Sequence, residues 1–472
     1  MTLQTPAFAD LRRLCGGAVY LPGDPRYDEA RRPWNLRADD RPAAVAYPAF
    51  PDEVAELVRA AAAAGLRIAP QGTGHGAPPL SGRLADAVLL RTSAMTELRI
   101  DAAHRTARVG AGVLWGDVIG RAGAARLACR HMSSPSVGVV GSSLGGGLNW
   151  YGRAHGLQCS AVTAVEVVLA DGSFVRATDE QDSELLWAAR GGGGGFGVVT
   201  ALEFDLIPVV APYAGMLVWE WAQARRVIDA WADWAVDAPD EATSVLRLVR
   251  APDVSWLPDG VRGRTVVVID GAVVGDPRAA AEIIAPLRAL RPEIDTFAST
   301  PAASLARLHL EPEEPLAAYA SSTLLAGLPP DAVEALVTAA GPGSGSQLLF
   351  AEVRQLGGAL SRPSPRGGAL DRIDGAFLVL TLGAGEAQGS WAGHRADAER
   401  VLDAVQPWGT GALYLSMIDD RADERRAVPT AHWDRLRRVR SAADPDGRFV
   451  VPHFSTEKSV GGPLEPGGAD LK

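Results

Sequence analysis

The chain has 472 residues, 47% hydrophobic and 22% charged, which is too long for one ordinary domain and typical of a globular protein with a real core. Its formal net charge of -10 argues against a nucleic-acid partner, because phosphate binding wants a basic face. Three cysteines (Cys15, Cys129, Cys159) are too few for a disulfide framework or a thiolate metal site, and no apolar run approaches the roughly 20 residues that span a bilayer. Residues 1–22 carry no basic stretch followed by an apolar one, so a cytoplasmic protein is expected.

Over residues 51–65, Val54, Leu57, Val58 and Ala61 share one helical face, acids occupy the first turn, and Gly65 suits the end. A short strand at 66–70 runs straight into QGTGHG at 71–76. Strands are predicted at 87–90 and 106–109. A hairpin is predicted where 162–169 meets 174–177 across Asp171-Gly172, a pair suited to a tight turn. After Pro208 a helix at 224–236 alternates with strands at 245–249, 265–269, 347–353, 376–382 and 412–417. Trp221, Trp231 and Trp234 in that region read as core. Long strands with helices between them, and no strict βαβ rhythm, predict an α+β chain whose second domain holds a largely antiparallel sheet. Thr430 is placed to cap a helix with Trp433, Leu436 and Val439 inward, and with Arg435, Arg437, Arg438 and Arg440 on a solvated face. Residues 444–447 (DPDG) form a turn, and 457–472 read as a poorly ordered tail.

Three glycine clusters interrupt this pattern: 71–76 (QGTGHG), 133–147 (SSPSVGVVGSSLGGG) and 190–200 (RGGGGGFGVVT). Dense glycine implies special backbone angles or close approach of another group, and successive free backbone N–H groups make anion-binding concavities that suit a pyrophosphate. None has the GxGxxG pattern after a strand with an acidic residue roughly 20 positions on, so a Rossmann site is disfavoured; GxxxxGK[ST] is absent too.

The ordered set of segments resembles the berberine-bridge-enzyme-like FAD-linked oxidases of the vanillyl-alcohol-oxidase (PCMH-type) superfamily. Residues 44–76 look like the lead-in to that family's flavin-linking histidine. Residues 133–157 and 185–206 are similar to its second and third flavin loops, 352–360 (EVRQLGGAL) to a strand and turn of bacterial members, and 432–453 to the segment that returns to the flavin domain. The resemblance implies a two-domain PCMH-type fold. Residues 1–208 form the FAD domain, 209–419 a substrate domain with an antiparallel sheet, and 420–472 the returning segment.

It further implies one FAD linked through His75, held by Gln71, Gly72, Thr73, Gly74, Gly76, Ser134, Val137, Gly138, Gly141, Ser142, Gly145, Gly146, Gly197 and Val198. Bicovalent members have Cys-Pro-x-Val-Gly in the second loop; here Ser134 stands in place of that cysteine, so only the histidyl bond is expected, and Cys129 would need a register shift to substitute. Tyr414 falls where the family has Tyr-x-Asn with the tyrosine as general base, but Ser416 replaces the asparagine, so a packing role competes with a basic one. A base there needs a pKa below its ordinary value of about 10. Tyr151 and Tyr319 are lesser candidates. His453 reads as a loop brace, and Glu352 and Arg354, alternating on one strand, either face the substrate or form an exposed strand face, with the second reading preferred. Val137, where bulkier leucine marks other members, leans toward an oxidase that takes a hydride from an alcohol, sugar or secondary metabolite and passes electrons to molecular oxygen. The alternatives are a dehydrogenase with another acceptor and a flavin-binding protein without activity.

Overall fold

The computed structural model describes residues 11–453, so the tail read as poorly ordered lies outside the described residues. Strands β1 (Val19–Tyr20), β2 (Ala44–Ala46), β3 (Arg67–Gln71) and β4 (Ala87–Arg91) form a sheet in the order β1-β2-β4-β3, with β2 and β3 both parallel to β4. Strands β2 and β3 run parallel on either side of β4, and the helix Pro51–Ala63 is the crossover that joins them. Val54, Leu57, Val58 and Ala61 are buried as the 3.6-residue period requires, each large side chain contributing about 1.5–3 kcal/mol. Gly65, at φ +68, ends the helix.

A second sheet is antiparallel: β5 (Leu98–Asp101), β6 (Thr106–Gly110), β7 (Val162–Val168), β8 (Phe174–Ala177) and β9 (Val198–Asp205), in the order β5-β6-β9-β7-β8. The predicted hairpin is the β7–β8 pair, and Gly172 turns it at φ +80. Both sheets share one core that includes Leu57, Trp115, Val165 and Phe204.

The rest of the strands build one antiparallel sheet: β10 (Tyr213–Glu220), β11 (Ala242–Arg250), β12 (Thr265–Val273), β13 (Ile294–Asp295), β14 (Ala298–Ser299), β15 (Ala317–Leu325), β16 (Phe350–Gln355) and β17 (Phe377–Gly385). Its order is β13-β10-β12-β11-β16-β17-β15, with β14 also on β10. Strand alternation gives this sheet two unlike faces. Leu246, Leu248, Val267, Ile269, Ala351 and Val353 pack under the helices Ala224–Asp237, Pro330–Ala340 and Ala392–Val405. Arg247, Val268, Asp270, Glu352 and Arg354 therefore stand on the opposite face. Trp231 lies in the helical core as expected, with Trp221 and Trp234 packed at its edge.

Two local expectations fail. Residues 412–417 alternate like a strand, but Gly409 and Gly411 interrupt the chain and the segment covers the edge of β15 through isolated bonds, Thr410 N–H to Leu324 O and Asp419 N–H to Ala320 O. Leu415–Met417 is a single 3₁₀ turn. In the last helix, Thr430–Ala443, Thr430 is already helical behind Pro429 and its side chain caps nothing. Among the described residues no helix is long and apolar enough to cross a membrane.

Candidate active site

One cavity of about 1040 Å³ runs from the glycine-rich loops to the unhelical face of the eight-stranded sheet. Small-molecule sites commonly hold roughly 300–1,000 Å³, so this one is large. At the sheet end its walls are mainly apolar, with Met216, Val249, Val268, Leu310, Phe350 and Leu380.

Strand β3 ends on Gln71 and delivers the first loop directly into the cavity, where Gln71, Gly72, Thr73, Gly74, His75 and Gly76 all form wall. Gly74 has φ +86, and a Cβ there would lie 2.6 Å from Pro33 Cβ, so no other residue fits. A strap that sequence reading missed clamps this loop. Trp34 N–H donates to Thr73 O (2.9 Å), Asn35 N–H donates to Gly74 O (3.3 Å), and the Trp34 indole stacks on the His75 ring at 4.0 Å and 14°. Thr73 Oγ1 lies 2.7 Å from His75 Nδ1. Burial holds the imidazole pKa down to about 3, so His75 is neutral at physiological pH.

In the second loop Ser134, Val137, Gly138, Gly141, Ser142 and Gly145 line the cavity. Gly146 does not: it lies beneath the Tyr414 ring, where a Cβ would come within 3.1 Å of the phenol oxygen. Cys129 is buried in the core away from the cavity, and burial raises its thiol pKa. The third loop contributes Gly191, Gly193, Gly194, Phe196, Gly197 and Val199. Val198 is a correction: strand alternation turns it into the core, and Val199 faces the cavity in its place. A second correction concerns Arg440, expected on a solvated face. Its guanidinium donates to the carbonyls of Gly192 and Gly194 and lies over Phe196, and so holds the third loop; burial lowers its pKa to about 9.

The acid–base candidates separate by surroundings. Tyr414 lines the cavity, but its oxygen accepts Leu148 N–H (3.0 Å) and burial pushes its pKa up to about 12, the opposite of what a base needs. Tyr319 lies on the helical side of its sheet, bonded to Asp420 (2.8 Å), and Tyr151 is buried beside His131; neither reaches the cavity wall. His453 does, with its ring against the backbone of Leu415 and Ile418, and burial lowers its pKa to about 4. Glu352 and Arg354 are not an exposed face: they are 1% and 9% accessible and paired with each other.

Asp419 was not singled out from sequence. One oxygen, Oδ2, accepts Ala320 N–H (2.9 Å) and Asn35 Nδ2 (3.4 Å), while Oδ1 bonds to no described residue. The residue lines the cavity, and burial raises its pKa to about 6 against the opposing pull of the Ala320 N–H and Arg37. Nothing in the local pattern of 412–420 marks it; only the packing of three remote segments does.

The glycine loops also fit a flavin. Gly141 lines the cavity, yet a Cβ there would meet no atom within 4 Å, so protein packing does not demand glycine at that position. A bound group approaching the backbone closely does.

Fold and cavity together define a chain of mixed α and β structure in which glycine-rich loops and an antiparallel sheet enclose one large cavity. Residues 42–178 match the family described as FAD binding domain, so the chain carries that domain, and its overall fold is shared with solved structures that include a 6-hydroxy-D-nicotine oxidase and berberine bridge enzyme. The 6-hydroxy-D-nicotine oxidase of Arthrobacter nicotinovorans superposes with a TM-score of 0.82 at 24% identity, covering 96% of this chain and 99% of that one. Berberine bridge enzyme of Eschscholzia californica superposes with a TM-score of 0.78 at 19% identity, covering 92% and 96%. In sequence, the glucooligosaccharide oxidase of Sarocladium strictum is 30% identical over 228 residues, 47% of this chain and 46% of that protein. The aligned stretch thus spans about half the length of that relative.

Proposed function

We propose that the protein is an FAD-dependent oxidase that holds one flavin covalently through His75, removes a hydride from an alcohol, sugar or secondary metabolite, and reduces oxygen to hydrogen peroxide. One observation carries the reading: a single cavity joins three glycine-rich loops and a neutral, clamped histidine to an apolar pocket against the sheet. The similarity to a glucooligosaccharide oxidase supports it.

FAD, when bound, supplies the two-electron acceptor. The protein's residues supply attachment, orientation and proton handling. His75 is kept neutral and therefore nucleophilic, with its ring plane set by Trp34 and Thr73. Ser134 offers no thiol, so one bond is the limit. Asp419 is the proton acceptor this geometry favours, because a carboxylate with one oxygen held by Ala320 and Asn35 and the other free can take a hydroxyl proton from a cavity-bound substrate. Tyr414 then orients that substrate.

Anaerobic addition of a panel of alcohols and sugars should bleach the flavin absorbance, and air should restore it with peroxide release. Val137→Leu should slow the reoxidation alone by about tenfold, a barrier change of about 1.4 kcal/mol. Wild-type flavin that stays reduced for minutes in air would instead make the protein a dehydrogenase, and flavin that no candidate bleaches would favour the inactive reading.

A further inference from the structure

We infer that the sheet end of the cavity is a carboxylate-binding subsite, in which Arg354 presents its two terminal nitrogens to the substrate. This rests on the reading of the cavity as the substrate pocket. Strand register brings the charges together. Asp270, Val245 and Arg354 form one cross-strand row over β12, β11 and β16, and Val268, Arg247 and Glu352 form the next. All six share the face turned away from the helices, so two arginines and two acids are buried together on the cavity side of the sheet.

The pairing within this set is unequal. Asp270 takes Arg247 and, at 2.8 Å, His309 Nδ1; Arg247 also donates to His309 O at 2.9 Å. Arg247 is thereby spent on the protein. Arg354 gives only its Nε, to Glu352, and neither terminal nitrogen donates to any described residue. It is 9% accessible and forms part of the cavity wall. The guanidinium is held at its Nε, and its unused outer fork opens on the cavity, where it is free to donate to a bound acceptor. The partner that fits a planar fork is a planar two-oxygen acceptor, a carboxylate, meeting it with two parallel bonds. The apolar side chains Val268, Leu310, Phe350 and Leu380 around it suit a hydrocarbon or aromatic body. Glu311 faces the same space with one oxygen on the Ser133 hydroxyl (2.8 Å), and its charge opposes the anion. The two side chains therefore make predictions of opposite sign.

The test is calorimetric titration of the flavin-loaded full-length protein with 3-phenylpropanoate and with its neutral analogue 3-phenylpropan-1-ol. The carboxylate should bind at least about tenfold more tightly than the alcohol, as a charge-assisted pair allows. Arg354→Met should weaken the carboxylate roughly ten- to hundredfold and leave the alcohol unchanged. Glu311→Gln should tighten the carboxylate. Because Arg354→Met strands Glu352, the double variant Glu352→Gln/Arg354→Met, which removes both charges, is measured beside it and should show the same loss. Equal binding of the two probes, binding of neither, or carboxylate affinity indifferent to both arginine variants would overturn the inference. Acid-stable flavin content, read on the same samples and remote from Arg354, reports on the proposed function separately.

Discussion

Replacing His75 by alanine is expected to turn a protein whose flavin survives acid precipitation into one that releases all of it to the supernatant. In the wild type the pellet should stay yellow, and proteolysis should give one flavin-bearing peptide that contains His75 and no cysteine. The imidazole is suited to this bond because burial keeps it neutral, with a pKa near 3, and because Trp34 and Thr73 fix its plane and one of its nitrogens. The variant should still bind FAD reversibly, since the glycine loops remain. Added FAD at 100 times its dissociation constant should then stabilise it by about 2.7 kcal/mol, visible as a rise in Tm. Free flavin from acid-treated wild type, or a peptide linked through Cys129, would refute the single histidyl bond. The second outcome would also require Cys129 to leave the core in which it is buried.

Asp419→Asn should lower the rate of flavin reduction by substrate by about 10²- to 10⁴-fold, the usual worth of a positioned acid–base group. In the wild type that rate should rise as pH passes through about 6 and level off above it, because the ionised carboxylate is the active form. The variant should lose this limb. Stability should move in the opposite sense. Burial raises the folded pKa from 3.8 to about 6, so the group's favourable contribution is fully present below about 4 and lost as pH rises through 6. Asparagine avoids burying the charge, so the variant should gain on the order of 1–3 kcal/mol at pH 8 and nothing at pH 4. A variant that loses activity and becomes more stable at high pH is not merely misfolded. Tyr414→Phe is the comparison: it removes the acceptor of Leu148 N–H, keeps the ring packing against Leu370 and Gly146, and should cost far less rate than Asp419→Asn. If Tyr414→Phe instead shows the larger loss, and Asp419→Asn little, the tyrosine is the base.

The arrangement divides labour between rigid parts. Loops hung on β3, on β9 and on the short helix Val139–Leu144 form one end of the cavity, and a continuous sheet forms the other, so each set of side chains is held by elements with their own cores. Residues 34–36 and 414–419 cross between them. Asn35 links the two crossings, bonding Ala318 O (3.1 Å), the Asp419 carboxylate and, through its own backbone, the His75 loop. A substitution at Asn35 would therefore disturb both His75 and Asp419.

The amino-acid sequence by itself determined whatever depends on near neighbours along the chain. The amphipathic period of 51–65, the turn at Asp171-Gly172, the strand running into QGTGHG, and the glycine spacing of the second and third loops all carry their geometry locally, because backbone angles and side-chain direction follow from a few adjacent residues. Even there, a one-residue step moved the third loop's contact from Val198 to Val199, since a strand turns every side chain to the other face. Tertiary structure alone decided the surroundings of Arg354, Arg440 and Asp419. Alternation on β16 fits an exposed strand as well as a buried one, and only the sheet's placement over the cavity makes Arg354 a buried cation that is held by Glu352 at its Nε alone. The same holds for Arg440, drawn out of its helix face by the carbonyls of Gly192 and Gly194, and for Asp419, whose raised pKa sums the desolvation imposed by residues remote in sequence. Burial and desolvation are properties of the packed whole, and spacing along one chain does not encode them.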